Sequence, residues 1–416
     1  MAFTTEAVRK SKPDPKIAKT LTELSSQAAV KRAAKFLLAQ RNWTTEQHLA
    51  LCRVAAPTFF EEKRAEWIAA QFRALGWDSK LDRAGNVVAF PDSRREGPFV
   101  ALTAHLDTVL APKRPEDVSL APDGRFRGPG VSDNGAGLAA LLAFAALWKS
   151  EPPCGASPIL IANVGEEGEG NLSGMRFLCR QSPLAGKIRT YLVLDGPGTD
   201  HITCRALASR RFEVTVSGPG GHSWSDHGTA NPVHALSRGI HFFTEGQFED
   251  GFPVSPRVSF NFGMIEGGIS VNSIPTSART KLDVRSEEQE KIEELSQYLT
   301  FATERAVILE NERASAGRVQ AKIRDIGARP GGVLPDESML LPYLRAVDAH
   351  LHIRAHLDCA STDANIPLSM GLEAVSIGAG GQGGGAHTPE EWFDPDGREL
   401  GLQRILLTLC LLLHQP

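Results

Sequence analysis

The stretch "TAHLDTVL" (residues 103–110) sets His105 and Asp107 two positions apart at the end of an apolar run. Similar polar stops recur along the chain. "GPGVSDNGAG" carries Asp133, "SPILIANVGEEGEG" runs into Glu166 and Glu167, "TYLVLDG" ends on Asp195, and "GGGAHTPEEW" delivers His387. A lone His-x-Asp after a strand is ordinary loop polarity. A set of five such places asks for a shared cause, because buried carboxylates without partners are expensive. A common cation is that cause. Imidazole with carboxylate suits zinc and other borderline divalent metals. His105, His387, Asp133, Glu167 and Asp195 are enough for two ions if one carboxylate bridges. Two such ions can hold a hydroxide between them and polarise a carbonyl. Glu166, beside Glu167, fits a general base, and Asp107 fits the group that fixes the tautomer of His105.

These residues need a scaffold that ends several strands at one edge. "NVVAFP" (86–91), "PFVALTAH" (98–105), "SPILIANV" (157–164) and "TYLVLD" (190–195) read as strands. "AGLAALLAFAALW" (136–148) and "GMRFLCRQ" (174–181) read as the helices between them. Continuous apolar strands alternating with helices predict an α/β fold, with a mostly parallel sheet sandwiched by helices. Ligand sites in such sheets form at the carboxyl ends of the strands. From residue 209 the texture changes to strands with one wet face, such as "RRFEVTVSG" and "SARTKLDVRS", around helices at 232–243 and 288–310. The expectation is an α/β domain built from residues 1–208 and 327–416, interrupted by an inserted α+β domain at 209–326, with hinges near 208 and 327. Helical periods begin at "AVKRAAKFLLAQ" and "EEKRAEWIAAQFRALGW"; residues 1 to about 25 read as polar and loosely held.

Composition narrows the function. Across 416 residues the formal net charge is −4, which gives no electrostatic footprint for nucleic acid. No apolar run reaches the roughly 18 residues of a membrane span. The first residues contain no apolar signal-peptide core. The six cysteines are scattered without C-x-x-C pairs, as reduced thiols are. A cytoplasmic location is expected. "GAGGQGGG" (378–385) lacks the terminal Lys-Ser/Thr of a phosphate-binding loop and reads as a flexible segment delivering His387. His201, His227, His350, His352 and His356 match no pattern.

Taken in order around an inserted domain, "HLD", "SDNGAG", "EEGE", "LVLDG" and "GGAHTPEEW" resemble the M20 family of dinuclear zinc peptidases and deacylases, tripeptidase T among them. The resemblance implies that one ion is held by His105, Asp133 and Asp195 and the other by Asp133, Glu167 and His387, with Asp133 bridging. It implies Glu166 as catalytic base, Asp107 as the residue orienting His105, and a cis peptide between Asp133 and Asn134. In "SGPGGHSW" it implies that His222 serves the oxyanion in the active site of a partner subunit, so that the active unit is a homodimer joined through the insert. Asn272 in "GGISVNSIP" and Arg285 in "LDVRS" are implied substrate contacts, and "STDAN" (361–365) a loop lining the pocket. The metals are expected to be zinc, with cobalt or manganese as substitutes.

The chemistry expected is hydrolysis of amide bonds. Aspartate at position 195 resembles the aminopeptidases and dipeptidases of the family, which favours a tripeptidase-like exopeptidase on short peptides. Glu390 and Glu391, just past His387, would then offer acidic contacts to a free amino terminus. An N-acyl amino acid deacylase or carboxypeptidase, with Arg285 as carboxylate clamp, is the rival hydrolase. A metal-free binding or assembly module is the rival outside hydrolases. A dinucleotide-binding oxidoreductase is excluded, since no G-x-G-x-x-G follows the first strand.

Overall fold

The computed structural model describes residues 14–91, 97–154, 156–246 and 256–414. They form two compact units, Met1–Ala206 with Val333–Pro416, and Leu207–Gly332. The second unit therefore runs six residues past the expected limit of 326, because its last long strand extends over Gln320–Arg329.

The first unit is organised around a nine-stranded sheet. At its centre Ile159–Asn163, Phe99–His105, Ile188–Leu194 and Glu373–Ile377 lie side by side and parallel. Val87–Phe90 and Asp78–Leu81 add antiparallel strands on one flank, and His201–Ala206 joins the other. The parallel strands are buried along almost their whole length, which is why they read as unbroken apolar runs. The helix Gly135–Ser150 is Ala- and Leu-rich on every side, and all but its last two residues are buried. A helix apolar all round has to be interior. Its start is capped by Asn134, whose Oδ1 accepts from Gly137 N at 3.1 Å.

The sequence reading was wrong at the amino terminus. Residues Pro15–Ser26 are a helix, capped by Asp14 Oδ1 accepting from Lys16 N at 2.7 Å. Ile17, Leu21 and Leu24 recur at helical spacing and are buried, but three apolar residues among polar ones are a faint signal. Residues 1–13, read as polar and loose, lie outside the described residues. The glycine-rich segment is also a packed element. Gln382–Gly384 pairs antiparallel with Trp392–Asp394, and a Cβ on Gly383 would sit 2.2 Å from Ser132 Oγ. Glycine is needed there for close approach.

The second unit has a four-stranded antiparallel sheet, ordered Val258–Gly267, Ser277–Ser286, Ala208–Ser217 and Gln320–Arg329. Ser277–Ser286 buries alternate residues, the pattern of a strand with one covered face. Helices Pro232–Gly246 and Gln289–Arg313 supply the cover, with Phe243, Leu295 and Leu299 packed against Phe212, Val214 and Leu282. A short ribbon pairs Gly221–His222 with Ser273–Ile274.

Candidate metal centre

Parallel pairing sets three strand ends beside one another. His105 closes its strand and is in register with Asn163, after which the chain turns into Glu166 and Glu167. Asp195 follows the neighbouring strand, and its N–H donates to Ile377 O at 3.0 Å. Asp133 immediately precedes the capping Asn134, whose Nδ2 donates to Leu194 O at 2.8 Å and whose Oδ1 accepts from Gly196 N at 3.1 Å. The Asp133–Asn134 peptide is cis. His387 arrives from the segment after Glu373–Ile377 with φ of +64°, a left-handed conformation uncommon outside glycine and concentrated at functional sites.

The side chains converge. His105 Nε2 lies 3.0 Å from Asp133 Oδ1 and 3.7 Å from Asp195 Oδ1. His387 Nε2 lies 3.1 Å from Asp133 Oδ2 and 2.8 Å from Glu167 Oε1. The two oxygens of Asp133 thus face different histidines. Donor atoms of His105, Asp133 and Asp195, and likewise of Asp133, Glu167 and His387, lie within 4.8 Å of one another. His105, Glu166 and Glu167 form a third such group.

The donors suit divalent cations in kind and in spacing. Bonds of about 2.0–2.1 Å at tetrahedral angles put ligand atoms roughly 3.3 Å apart, and the contacts above, 2.8–3.7 Å, bracket that value. Charge points the same way: Asp107, Asp133, Glu166, Glu167 and Asp195 outnumber the two imidazoles even when both are protonated. Burial opposes a charge on His105, yet its bonds to Asp107, Asp133 and Asp195 raise its pKa well above the ordinary value. Bonds to Asp133 and Glu167 raise that of His387 to about 10. Both imidazoles stand where positive charge is wanted.

Asp107 does more than its sequence suggested. It is fully buried, and His105 Nδ1 is 3.0 Å from its main-chain oxygen but 3.5 Å from its carboxylate. The carboxylate instead accepts from Glu166 N at 2.9 Å, Glu167 N at 2.8 Å and Thr58 Oγ1 at 3.0 Å. One residue thus orients His105 through its backbone and holds the paired glutamates through its side chain.

Glu391 overturns an expectation. It is 3% exposed and turned inward, its carboxylate accepting from the N–H groups of Gly130, Ser132 and Asp133. Burial pushes its pKa up and those three bonds oppose the shift. It has no surface left for an amino terminus, whereas Glu390 is exposed. In the "STDAN" loop Asp363 is buried, takes a hydrogen bond from Asn163 Nδ2, and burial pushes its carboxyl up to about 7. No local signal marks either acid as inward-facing.

His222, Asn272 and Arg285 belong to the second unit, and the cluster above belongs to the first. His222 and Asn272 are neighbours on the short ribbon, Ser223 N donating to Asn272 O at 3.0 Å. His222 Nδ1 accepts from Trp224 N at 3.2 Å and Ser225 N at 3.3 Å, so the ring caps the turn that follows it. This also leaves the proton on Nε2 of the exposed ring. Arg285 Nε donates to Asp283 Oδ2 at 2.8 Å, so part of its fork is engaged within its own strand. All six cysteines are free thiols, and among the described residues no helix is long and apolar enough to cross a membrane.

Known proteins share this fold. A tripeptidase from Staphylococcus aureus superposes with a TM-score of 0.72 at 19% identity, covering 90% of this chain and 99% of that one. In sequence the chain is 32% identical to a probable carboxypeptidase of Aspergillus terreus, over 48% of this chain and 47% of the relative. It is 26% identical to a succinyl-diaminopimelate desuccinylase of a Psychrobacter species, over 48% and 52%. The chain thus spans about half the length of these curated relatives. The family model for peptidase family M20/M25/M40 matches residues 101–409, a span from the strand that ends on His105 to the last helix. With the fold and that match in agreement, the chain belongs to peptidase family M20/M25/M40.

Proposed function

We propose that the protein is a dinuclear metal-dependent hydrolase cleaving amide bonds of short peptides, a tripeptidase- or aminopeptidase-like exopeptidase. The observation that carries the reading is the pair of donor triads sharing Asp133, one oxygen to each histidine. His105, Asp133 and Asp195 would hold one ion, and Asp133, Glu167 and His387 the other, most simply zinc, with cobalt or manganese as substitutes. When bound, such ions acidify water and polarise a carbonyl.

The chain's own groups do the rest. Glu166, held through its N–H by Asp107, takes the proton at its carboxylate and returns it to the leaving amine. His105 presents Nε2 to the cluster because Nδ1 faces the Asp107 carbonyl. His222, with its proton on Nε2, is suited to donate to a developing oxyanion, and in our reading it does so for the partner of a homodimer. Asn272 and Arg285 are proposed substrate contacts, and Glu390 remains the candidate acid for an amino terminus. The free cysteines support a cytoplasmic setting.

A second reading is an N-acyl amino acid deacylase or carboxypeptidase, supported by the names of the curated relatives. Metal-stripped protein reloaded with zinc, cobalt or manganese and assayed on free-amine tripeptides and N-acyl amino acids separates the two. Glu166→Gln should lower kcat by 10²-fold or more, the usual reach of a general base, while leaving metal content at two ions. An unchanged kcat would reject Glu166 as base, and loss of an ion would make it a ligand instead. Protein that binds no divalent ion would reject the hydrolase reading.

A further inference from the structure

Asp133 can face two histidines only if its loop is held in place. The loop Gly128–Asp133 has no regular structure of its own, so its backbone groups need outside partners. Glu391 supplies most of them. Its Oε2 accepts from Gly130 N at 2.7 Å, and its Oε1 accepts from Ser132 N at 2.8 Å and Asp133 N at 2.9 Å. Its main-chain oxygen accepts from Gly128 N at 3.0 Å. Two of the carbonyls have other side-chain partners. His48 Nε2 lies 2.8 Å from Val131 O, and Cys52 Sγ donates to Gly130 O at 3.3 Å. Arg398 Nη2 donates to His48 Nδ1 at 2.8 Å, so the proton of His48 is on Nε2 and points at Val131 O.

We propose that Glu391 is a positioning residue: its buried carboxylate, ligated by three loop N–H groups, sets the Gly130–Asp133 backbone so that each oxygen of Asp133 meets its own histidine. Three convergent donors call for a group that only accepts, and an ionised carboxylate binds such N–H groups about twice as strongly as a neutral acceptor. Glu391 is also four residues from His387, so one segment supplies a ligand to the centre and the brace for another ligand. Acids of this kind orient the liganding groups, and their loss usually costs 10–100-fold in metal affinity. The inference rests on Asp133 as the shared ligand.

The test is Glu391→Gln, with Asp396→Asn as control on an exposed acid five residues further on. Zinc affinity is read by chelator competition well below the melting temperature. The visible absorption of cobalt-loaded protein reports ligand geometry, which mere destabilisation of the fold does not change. We expect about 10–100-fold weaker zinc binding and an altered cobalt spectrum in Glu391→Gln, and parental values in Asp396→Asn. A folded Glu391→Gln with parental affinity and spectrum overturns the role. Should that variant not fold, Glu391→Asp, which keeps the charge one methylene short, is read the same way, and parental values there overturn the role equally. If the parent itself binds no divalent ion, it is the hydrolase reading that fails.

Discussion

Asp107→Ala puts a number on how the Glu166–Glu167 turn is held. Asp107 is fully buried and accepts from two main-chain N–H groups and the Thr58 hydroxyl. A hydrogen bond to a charged group contributes roughly 1.5–3 kcal/mol, so three amount to about 4.5–9 kcal/mol at first count. The space left by the carboxylate is polar and can admit a water that re-forms part of this, which brings the expected loss to about 3–5 kcal/mol. Asp107→Asn keeps one acceptor oxygen but turns an amide N–H₂ toward donors, for a loss of about 2–3 kcal/mol. The assay is urea unfolding of metal-free protein at neutral pH, with m-values compared. The order should be parent, then Asn, then Ala. A loss within about 1 kcal/mol for Asp107→Ala, on the scale of a single ordinary hydrogen bond, would refute the argument that this side chain carries the 166–167 turn. Acid offers a check. Burial pushes the Asp107 carboxyl up, but His105 and the N–H groups of Glu167 and Glu166 outweigh it and lower its pKa. Its stabilisation is therefore full above the unfolded value of about 3.9 and is lost as pH falls through the lower native value. Asp107→Asn should lack that acid-sensitive component.

In metal-free protein the two raised imidazoles act in the opposite sense. His387, at about 10, stabilises the fold fully below the unfolded value near 6.5 and loses that contribution as pH climbs through its native value. Metal-free protein should weaken from pH 6.5 toward 10, and metal-loaded protein should not, the cation having replaced the protons. Metal uptake at pH 7.5 should accordingly release protons, read from the dependence of titration enthalpy on buffer; no release would contradict the assigned imidazoles. Away from the centre, Arg404 makes a two-pronged pair with Asp348 at 2.7 and 2.8 Å, both side chains buried. Asp348→Ala strands that guanidinium and should cost about 3–5 kcal/mol, with Asp348→Leu/Arg404→Met recovering much of it; a double-mutant cycle with no coupling would refute the pair's role.

The residue types that could bind cations, and the strands that carry them, were legible because both are local properties. A buried parallel strand must be apolar along its length, and a donor at its carboxyl end breaks that run, so His105, Glu166, Glu167 and Asp195 marked themselves. The change from unbroken to alternating strands marked the inserted unit for the same reason. The helix Pro15–Ser26 escaped notice because its apolar stripe is narrow and gains meaning only from the surface it covers. Glu391 and Asp107 were misread or half-read because hydrogen-bond partners have no periodicity. Glu391 stands about 260 positions from the N–H groups it holds. Sequence decided which groups were available and at which strand ends. Packing decided which backbone each carboxylate faces, and so which acids converge on the two histidines and which hold the loops that carry them. That choice is made by desolvation, since a buried carboxylate settles where unpaired N–H groups converge, and only the folded chain brings them together.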